Sequence, residues 1–165
     1  MNAPGRIVAL DVGTKRIGVA ACDPTRTVVR SVSMVGAQPP ERAVRDIVAV
    51  LQDEEAVALV IGMPWTLAGE IGPQALRVMQ FVEILRPHVS IPIHFYDERL
   101  TSAEAERLLK EYGGGFTKAE RRQGRVDKLA ALLILEDYLQ EERLRNRPPY
   151  DPDDDDWERG DGERR

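Results

Sequence analysis

Acidic residues at the ends of three different predicted elements are the groups most able to do chemistry in this sequence. Asp11 ends a first apolar strand, Asp97 and Glu98 follow a later one, and Asp127 begins a long apolar helix. A carboxylate at the end of a buried strand is costly to keep charged without a partner. Acids that converge from three elements repel one another unless a cation lies between them. Hard oxygen ligands of this kind suit Mg²⁺ or Mn²⁺.

The chemistry that this pattern favours is metal-assisted hydrolysis. Two such ions about 3.5–4 Å apart clamp the attacking and leaving oxygens in phosphodiester cleavage. In this interpretation the candidate metal ligands are Asp11, Asp97, Glu98 and Asp127, of which Asp11, Glu98 and Asp127 are the candidate catalytic residues, and the choice between Asp97 and Glu98 as the second acid stays open. The sequence has only two His and one Cys, which argues against a zinc site.

Each acid also has a simple structural explanation. Asp11 could cap the turn that follows it by accepting backbone N–H groups. Asp127 could satisfy the positive end of a helix dipole, and Glu98 could pair with Arg99 or Arg125. Only the joint occurrence of these acids favours a metal site.

Basic and polar side chains in two segments indicate binding of nucleic-acid phosphates. One group lies in the turn after Asp11, and a basic run follows in residues 118–128, although such a run could also be a solvated helix face. Trp65 could stack a base or pack in the core. The candidate nucleic-acid-binding residues are Thr14, Lys15, Arg16, Trp65, Arg99, Lys118, Arg121, Arg122, Arg125 and Lys128.

Hydrophobic periodicity predicts the elements that position these residues. A three-strand antiparallel meander is followed by alternating helices and strands, which predicts an α/β fold with a mixed five-stranded sheet and helices on both faces. The predicted strands are 7–10, 17–21, 27–35, 57–61 and 91–96, and the predicted helices are 40–51, 75–85, 101–112 and 126–142. Gly113–Gly115 is predicted to be a mobile loop.

The helical faces are predicted from the same spacing. In helix 75–85 the buried face is expected to contain Leu76, Met79, Val82 and Leu85, with Phe81 off that face. In the last helix, Asp127 shares a face with residues 130, 131 and 134. Two alanines in that set permit a close approach to the sheet, which would bring Asp127 toward the strand ends where reactive groups collect.

Composition predicts one globular domain, residues 1–147, followed by an acidic disordered tail, residues 148–165. Eight of the 28 acidic and three of the 23 basic residues lie in 151–165, which leaves 20 of each sign for residues 1–150. The acidity therefore does not argue against a nucleic-acid partner for the domain. The sequence has no apolar run long enough for a membrane span and no signal-peptide pattern, so we expect a cytoplasmic protein. The lone Cys22 is expected to be a small buried hydrophobe.

Four motifs stand in the order found in the YqgF/RuvX family, which this sequence resembles from about residue 6 to 143. They are Asp-Val-Gly-Thr-Lys-Arg-Ile-Gly-Val-Ala at 11–20, Gly-Met-Pro at 62–64, Asp-Glu-Arg-Leu-Thr at 97–101 and Val-Asp-Lys-Leu-Ala-Ala-Leu-Leu-Ile-Leu-Glu-Asp-Tyr-Leu at 126–139. The resemblance implies a ribonuclease-H-like fold and a divalent-metal-dependent endonuclease that matures pre-16S rRNA or resolves Holliday junctions. It implies Asp11 as the first-strand acid, Glu98 or Asp97 as the second, and Asp127 as the helix acid.

One loop departs from the family pattern. Members usually follow Gly-Leu-Pro with Leu-Asn-Met-Asp-Gly, whereas Met63-Pro-Trp-Thr-Leu-Ala-Gly69 stands here. The missing Asn and Asp put a substrate contact from this loop in doubt.

Two rival functions are distinguishable. A non-catalytic nucleic-acid-binding module would bind without turnover at any Mg²⁺ or Mn²⁺ concentration. An actin- or hexokinase-type phosphotransferase also carries Asp-x-Gly-Thr after a first strand, but it repeats the motif in a second lobe, and this sequence has one copy. The residues do not choose between RNA and DNA, nor between a monomer and a homodimer, which a junction resolvase would need.

Overall fold

The structure, a computed structural model, describes residues 5–66, 68–98 and 125–147, with the backbone alone described for 125–128. In chain order the elements are β1 (Ile7–Val12), β2 (Arg16–Cys22), β3 (Val29–Gly36), α1 (Pro40–Asp53), β4 (Ala58–Met63), α2 (Pro73–Leu85), a short 3₁₀ turn (Arg86–His88), β5 (Ile93–Asp97) and α3 (Arg125–Arg145). The predicted helix 101–112, the loop Gly113–Gly115 and the acidic tail 148–165 lie outside the described residues.

The five strands form one mixed sheet in the order β3-β2-β1-β4-β5. β2 is antiparallel to both of its neighbours, whereas β4 is parallel to β1 and to β5. The carboxyl ends of β1, β4 and β5 therefore lie at the same edge of the sheet. This is a ribonuclease-H-like topology with helices on both faces, and the predicted fold class is confirmed.

The sheet separates two hydrophobic cores because successive side chains of a strand point to opposite faces. In β1, Val8, Leu10 and Val12 belong to the core under α1 and α2. Ile7 and Ala9 belong to the core under α3. The same alternation assigns Asp11 to the α3 face of the sheet.

Small side chains let α3 pack closely on the sheet. Ala9, Ala20 and Ala58 line the α3 face, and they meet Ala131 and Ile134 of the helix, both fully buried. The expected approach of the helix to the sheet through this face is therefore present, with Ala130 half-buried beside it.

The predicted buried face of α2 is wrong in part. Leu76 and Met79 are 49% and 38% exposed, whereas Phe81 is buried, and Val78 packs in the core in their place. Val82 and Leu85 are buried as predicted. Residues 78, 81, 82 and 85 follow the i, i+3, i+4, i+7 pattern of a single face. Met79 and Leu76 lie about 110° and 170° of helical rotation from the centre of that face.

The third strand begins two residues later than predicted because Asp23 organises a turn in front of it. Its carboxylate accepts the backbone N–H groups of Thr27 and Val28, each at 2.7 Å, and the hydroxyl of Thr25. These bonds hold the pKa of Asp23 well below its ordinary value. Residues 27 and 28 are consequently held in the turn and do not pair with β2.

Cys22 is fully buried in the α3 core, as predicted. Its Sγ accepts the N–H of Ile7 at 3.2 Å, and burial raises the pKa of the thiol. Within the described part of the chain, no helix is both long enough and apolar enough to span a bilayer.

Candidate active site

Two of the predicted acids meet at the edge where the parallel strands end. Asp11 is the fifth residue of β1, and Glu98 directly follows β5. The two side chains are hydrogen-bonded to each other. Two carboxyl groups can share a hydrogen bond only when one of them is protonated, so the pair holds a proton between residues 87 positions apart in sequence.

The environment of Glu98 strongly favours its neutral form. Its pKa is raised from the ordinary 4.5 to about 8, first by burial, then by the negative charge of Asp11 and their hydrogen bond, and last by the charge of Asp97. A neutral carboxyl of this kind could bind a cation by losing its proton, because the positive charge would stabilise the carboxylate form.

Gly62 of β4 provides the space in which Glu98 lies. A Cβ on Gly62 would overlap Glu98 Oε1 and would lie 2.6 Å from Ile134 Cδ1. Any other residue would force the Glu98 carboxyl and the terminal methyl of Ile134 to shift. Local sequence does not indicate this role for Gly62, although the Gly-Met-Pro motif marks the end of a buried strand.

Asp97 and Glu98 occupy different positions relative to the sheet. Asp97 pairs with Met63, which packs in the α1/α2 core, whereas Tyr96 packs in the α3 core. The side chain that reaches Asp11 is that of Glu98, and Asp97 acts on it through its charge.

Asp127 lies in the first turn of α3, seven residues before Ile134. Two helical turns separate the two positions, which therefore share a helix face, and Ile134 borders Gly62 beside Glu98. The side chains of Asp127, Arg125 and Lys128 are among those not described. The other predicted phosphate-binding residues of this region, Arg99, Lys118, Arg121 and Arg122, lie outside the described residues.

Among the side chains that the structure describes, no three from His, Cys, Asp and Glu gather in a way that could hold a metal ion. Of the predicted metal ligands, the described side chains bring Asp11 and Glu98 into contact, with the charge of Asp97 acting on Glu98.

The turn between β1 and β2 presents polar side chains next to Asp11. Gly13 N–H donates to the carbonyl of Arg16 at 2.9 Å, and a Cβ on Gly13 would lie 2.6 Å from that oxygen. The Lys15 carbonyl accepts the N–H of Ala37 at 2.9 Å, which ties the turn to the end of β3. Thr14 and Lys15 are exposed, and Arg16 is half-buried. Backbone hydrogen bonds therefore hold the turn in one conformation, in which it carries the Thr14 hydroxyl and the cationic side chains of Lys15 and Arg16.

Trp65 is half-buried and packs against the α1/α2 core. The structure therefore gives it the packing position that was one of the two alternatives. The loop after it is closed by Thr66, whose N–H donates to the Glu70 carbonyl at 3.0 Å and whose hydroxyl accepts the Glu70 N–H at 3.1 Å.

Comparison with known proteins places the chain in a family. The RuvX family model, described as Holliday junction resolvase, matches residues 5–141. A curated relative from Roseiflexus sp. (strain RS-1), named "Putative pre-16S rRNA nuclease", is 46% identical over 142 residues, which cover 86% of this chain and 99% of the relative. A relative of the same name from Thermoanaerobacter pseudethanolicus is 38% identical over 138 residues, covering 84% and 98%.

Among solved structures, Thermus thermophilus RuvC in complex with a Holliday junction substrate is similar, with a TM-score of 0.48 and 15% identity over 83% of this chain and 96% of that one. The family model and the curated relatives each span more than four-fifths of the chain. This protein therefore belongs to the RuvX family.

Proposed function

We propose that this protein is a divalent-metal-dependent endonuclease that cleaves phosphodiesters in structured nucleic acid in the cytoplasm. The substrate would be the 5′ region of pre-16S rRNA, a Holliday junction, or both. The observation that carries the proposal is the contact between Asp11 and Glu98 at the carboxyl edge of the sheet. The names of the curated relatives and of the family model support the same activity.

The donor set fits Mg²⁺ or Mn²⁺. Both ions prefer carboxylate oxygens, and Glu98 is kept neutral by burial and by the neighbouring charge of Asp11. Asp11, Glu98 and Asp127 would hold the metal, with Asp97 adding negative charge beside them. When bound, two such ions would activate water and stabilise both the attacking and the leaving oxygens of the scissile phosphate.

The chain itself would contribute position and charge. Asp11 and Glu98 would hold the cation in place of their shared proton, and Gly62 leaves the space that their contact needs. Lys15 and Arg16 would bind phosphates of the substrate on one side of the pair, with the Thr14 hydroxyl as a further donor.

The proposal is tested by assaying the Asp11→Asn and Asp127→Asn variants on structured RNA and on four-way DNA junctions, in Mg²⁺, Mn²⁺ and EDTA. We expect each variant to lose about a thousandfold or more in cleavage rate. Asp46→Asn is the matched control, because Asp46 is an exposed carboxylate on α1, and it should cleave normally.

Metal-dependent cleavage that survives both substitutions would contradict the proposed site. Binding without turnover in any metal would instead indicate a non-catalytic nucleic-acid-binding module. Comparing the two substrates separates RNA from junction specificity, and the mass of the protein in solution shows whether it is the homodimer that junction resolution needs.

A further inference from the structure

A cleft of about 450 Å³ lies on the side of the sheet opposite Asp11, between the β1–β2 turn, the start of α1 and the helix α2. Val12, Gly13 and Thr14 line it, so it begins at the residue that directly follows Asp11. Ligand sites in proteins range from about 300 to 1,000 Å³, and the cleft is within that range.

The lining combines an apolar floor with a polar rim. Ile17 and Phe81 are buried side chains of the floor. Arg77 and Gln80 are exposed on successive turns of α2, and Gln38 faces the cleft from the segment before α1. Two carboxamides and a guanidinium provide both donors and acceptors around an apolar surface.

The charge of the lining selects the kind of occupant. Among the described residues that line the cleft, Arg77 is the one charged side chain, and no carboxylate is present. A cationic ligand would find no opposite charge among these residues and would be repelled by Arg77. A flat, neutral group with polar edges would be matched, with one face against the floor, its edge against the two glutamines, and an acceptor atom or an attached phosphate toward Arg77.

We propose that this cleft binds a nucleobase of the nucleic-acid substrate, displaced from its stack next to the phosphates held by the β1–β2 turn. The proposal rests on the proposed function, because it takes nucleic acid as the ligand. Thr14 belongs to both the turn and the cleft wall. A strand crossing the turn therefore has a phosphate position on one side and a base position on the other, and the cleft would select which nucleotide lies beside Asp11.

The test measures binding of nucleoside 5′-monophosphates to the full chain in EDTA by NMR chemical-shift perturbation. Ribose 5-phosphate is the probe without a base. We expect the monophosphates to shift the side-chain amides of Gln38 and Gln80, and ribose 5-phosphate to leave them in place. Because no turnover is involved, a failure of the nuclease proposal does not affect this readout.

Two exposed positions allow substitutions that should not disturb folding. Gln80→Glu introduces a carboxylate at constant size, and Arg77→Gln removes the one cation of the described lining; each should raise the Kd for the monophosphates by about three- to tenfold. Arg45→Gln is the control, because Arg45 is an exposed residue of α1 that does not line the cleft, and it should bind normally.

Equal shifts with ribose 5-phosphate would show a site for phosphate alone and would overturn the proposal. Binding that Gln80→Glu and Arg77→Gln leave unchanged would also overturn it. So would self-association of the wild-type chain that Gln80→Glu abolishes, because the cleft would then be filled by a second copy.

Discussion

At the scale of single residues, the two carboxyl groups of Asp11 and Glu98 should lower the stability of the metal-free protein at high pH, although the proposed cleavage needs both of them. The negative charge of Asp11 helps to raise the pKa of Glu98. Asp11→Asn removes that charge and offers an amide N–H to Glu98, so the pKa of Glu98 should fall. Without metal at pH 8 the variant should therefore unfold at a higher temperature than the wild type, although it should no longer cleave. Thermal unfolding in EDTA measures this, and a lower Tm for the variant would contradict the account of the pair.

The pH dependence of stability follows from the same raised pKa. The folded protein keeps a proton on Glu98 up to about pH 8, whereas the unfolded chain releases it near pH 4.5. The native state binds more protons over this window, so stability in EDTA should fall as the pH rises through it. The lowered pKa of Asp23 acts in the opposite sense but only in acid, below its ordinary value of 3.8.

Divalent cations should reverse this loss, because Asp11 and Glu98 would bind a cation in exchange for their shared proton. We expect Mg²⁺ or Mn²⁺ to raise the Tm by more at pH 8 than at pH 5. Glu98→Gln is the control, and its Tm should vary less with pH between 5 and 8. A wild-type Tm that is flat over this range, with and without metal, would rule out the shared proton.

Gly62→Ala tests the space that holds Glu98. The added methyl would overlap Glu98 Oε1 and crowd Ile134, and overpacking of this kind costs about 1–3 kcal/mol in the free energy of unfolding. Cleavage should fall further than stability accounts for, because Glu98 is displaced from Asp11. Gly36→Ala is a matched control, since a Cβ on Gly36 has no atom within 4 Å. Urea unfolding and cleavage rates are measured on both variants. Normal cleavage by Gly62→Ala would contradict the role of Gly62 in positioning Glu98.

At the scale of the elements, the apolar runs predict all five strands and the α1, α2 and α3 helices to within three residues at each end. The prediction is wrong at the start of β3 and on the buried face of α2, where side-chain contacts outweigh the hydrophobic periodicity. Asp23 holds residues 27 and 28 in a turn, and α2 presents a different face because Val78 and Phe81, not Leu76 and Met79, meet the sheet.

The site is predictable only in outline. The sequence shows that Asp11 and Glu98 each end a strand, but their contact depends on β4 lying between β1 and β5. It also depends on Gly62, whose importance comes from the side chain that it leaves room for. Such a requirement is not visible from local sequence, because Glu98 is 36 positions away from Gly62.

The anchoring of α3 gives a prediction at this scale. Glu142, near the end of the helix, pairs with Arg26 in the turn before β3, and both side chains are 16% exposed. Arg26 Nε also donates to the Gly5 carbonyl at 3.0 Å. Because the pair is largely shielded from water, Glu142→Gln should cost about 1–2 kcal/mol in the free energy of unfolding.

The control for this prediction is the exposed pair of Arg30 with Glu54. Arg30 is 49% exposed, and Glu54 keeps a second partner, Arg6, at 3.6 Å. Arg30→Gln should therefore cost less than about 0.5 kcal/mol. Equal costs for the two substitutions, measured by urea unfolding, would show that the Arg26–Glu142 pair does not anchor the helix.

At the scale of the whole molecule, charge is distributed unevenly along the chain. Residues 1–150 are formally neutral, and residues 151–165 carry the entire net charge of −5. We propose that residues 1–147 form the nuclease domain and that the tail 148–165 competes with nucleic acid for its basic residues. Deletion of 148–165 should then raise the affinity for structured RNA or DNA by about tenfold at low salt. The gain in affinity should shrink as salt increases, because screening weakens the tail's attraction to those residues.

A variant of unchanged length, with the eight acids of the tail replaced by Asn and Gln, separates the effect of charge from that of length, and it should bind as tightly as the deletion. Fluorescence anisotropy at several salt concentrations measures all three proteins, and unchanged affinity in both variants would show that the tail does not compete with nucleic acid.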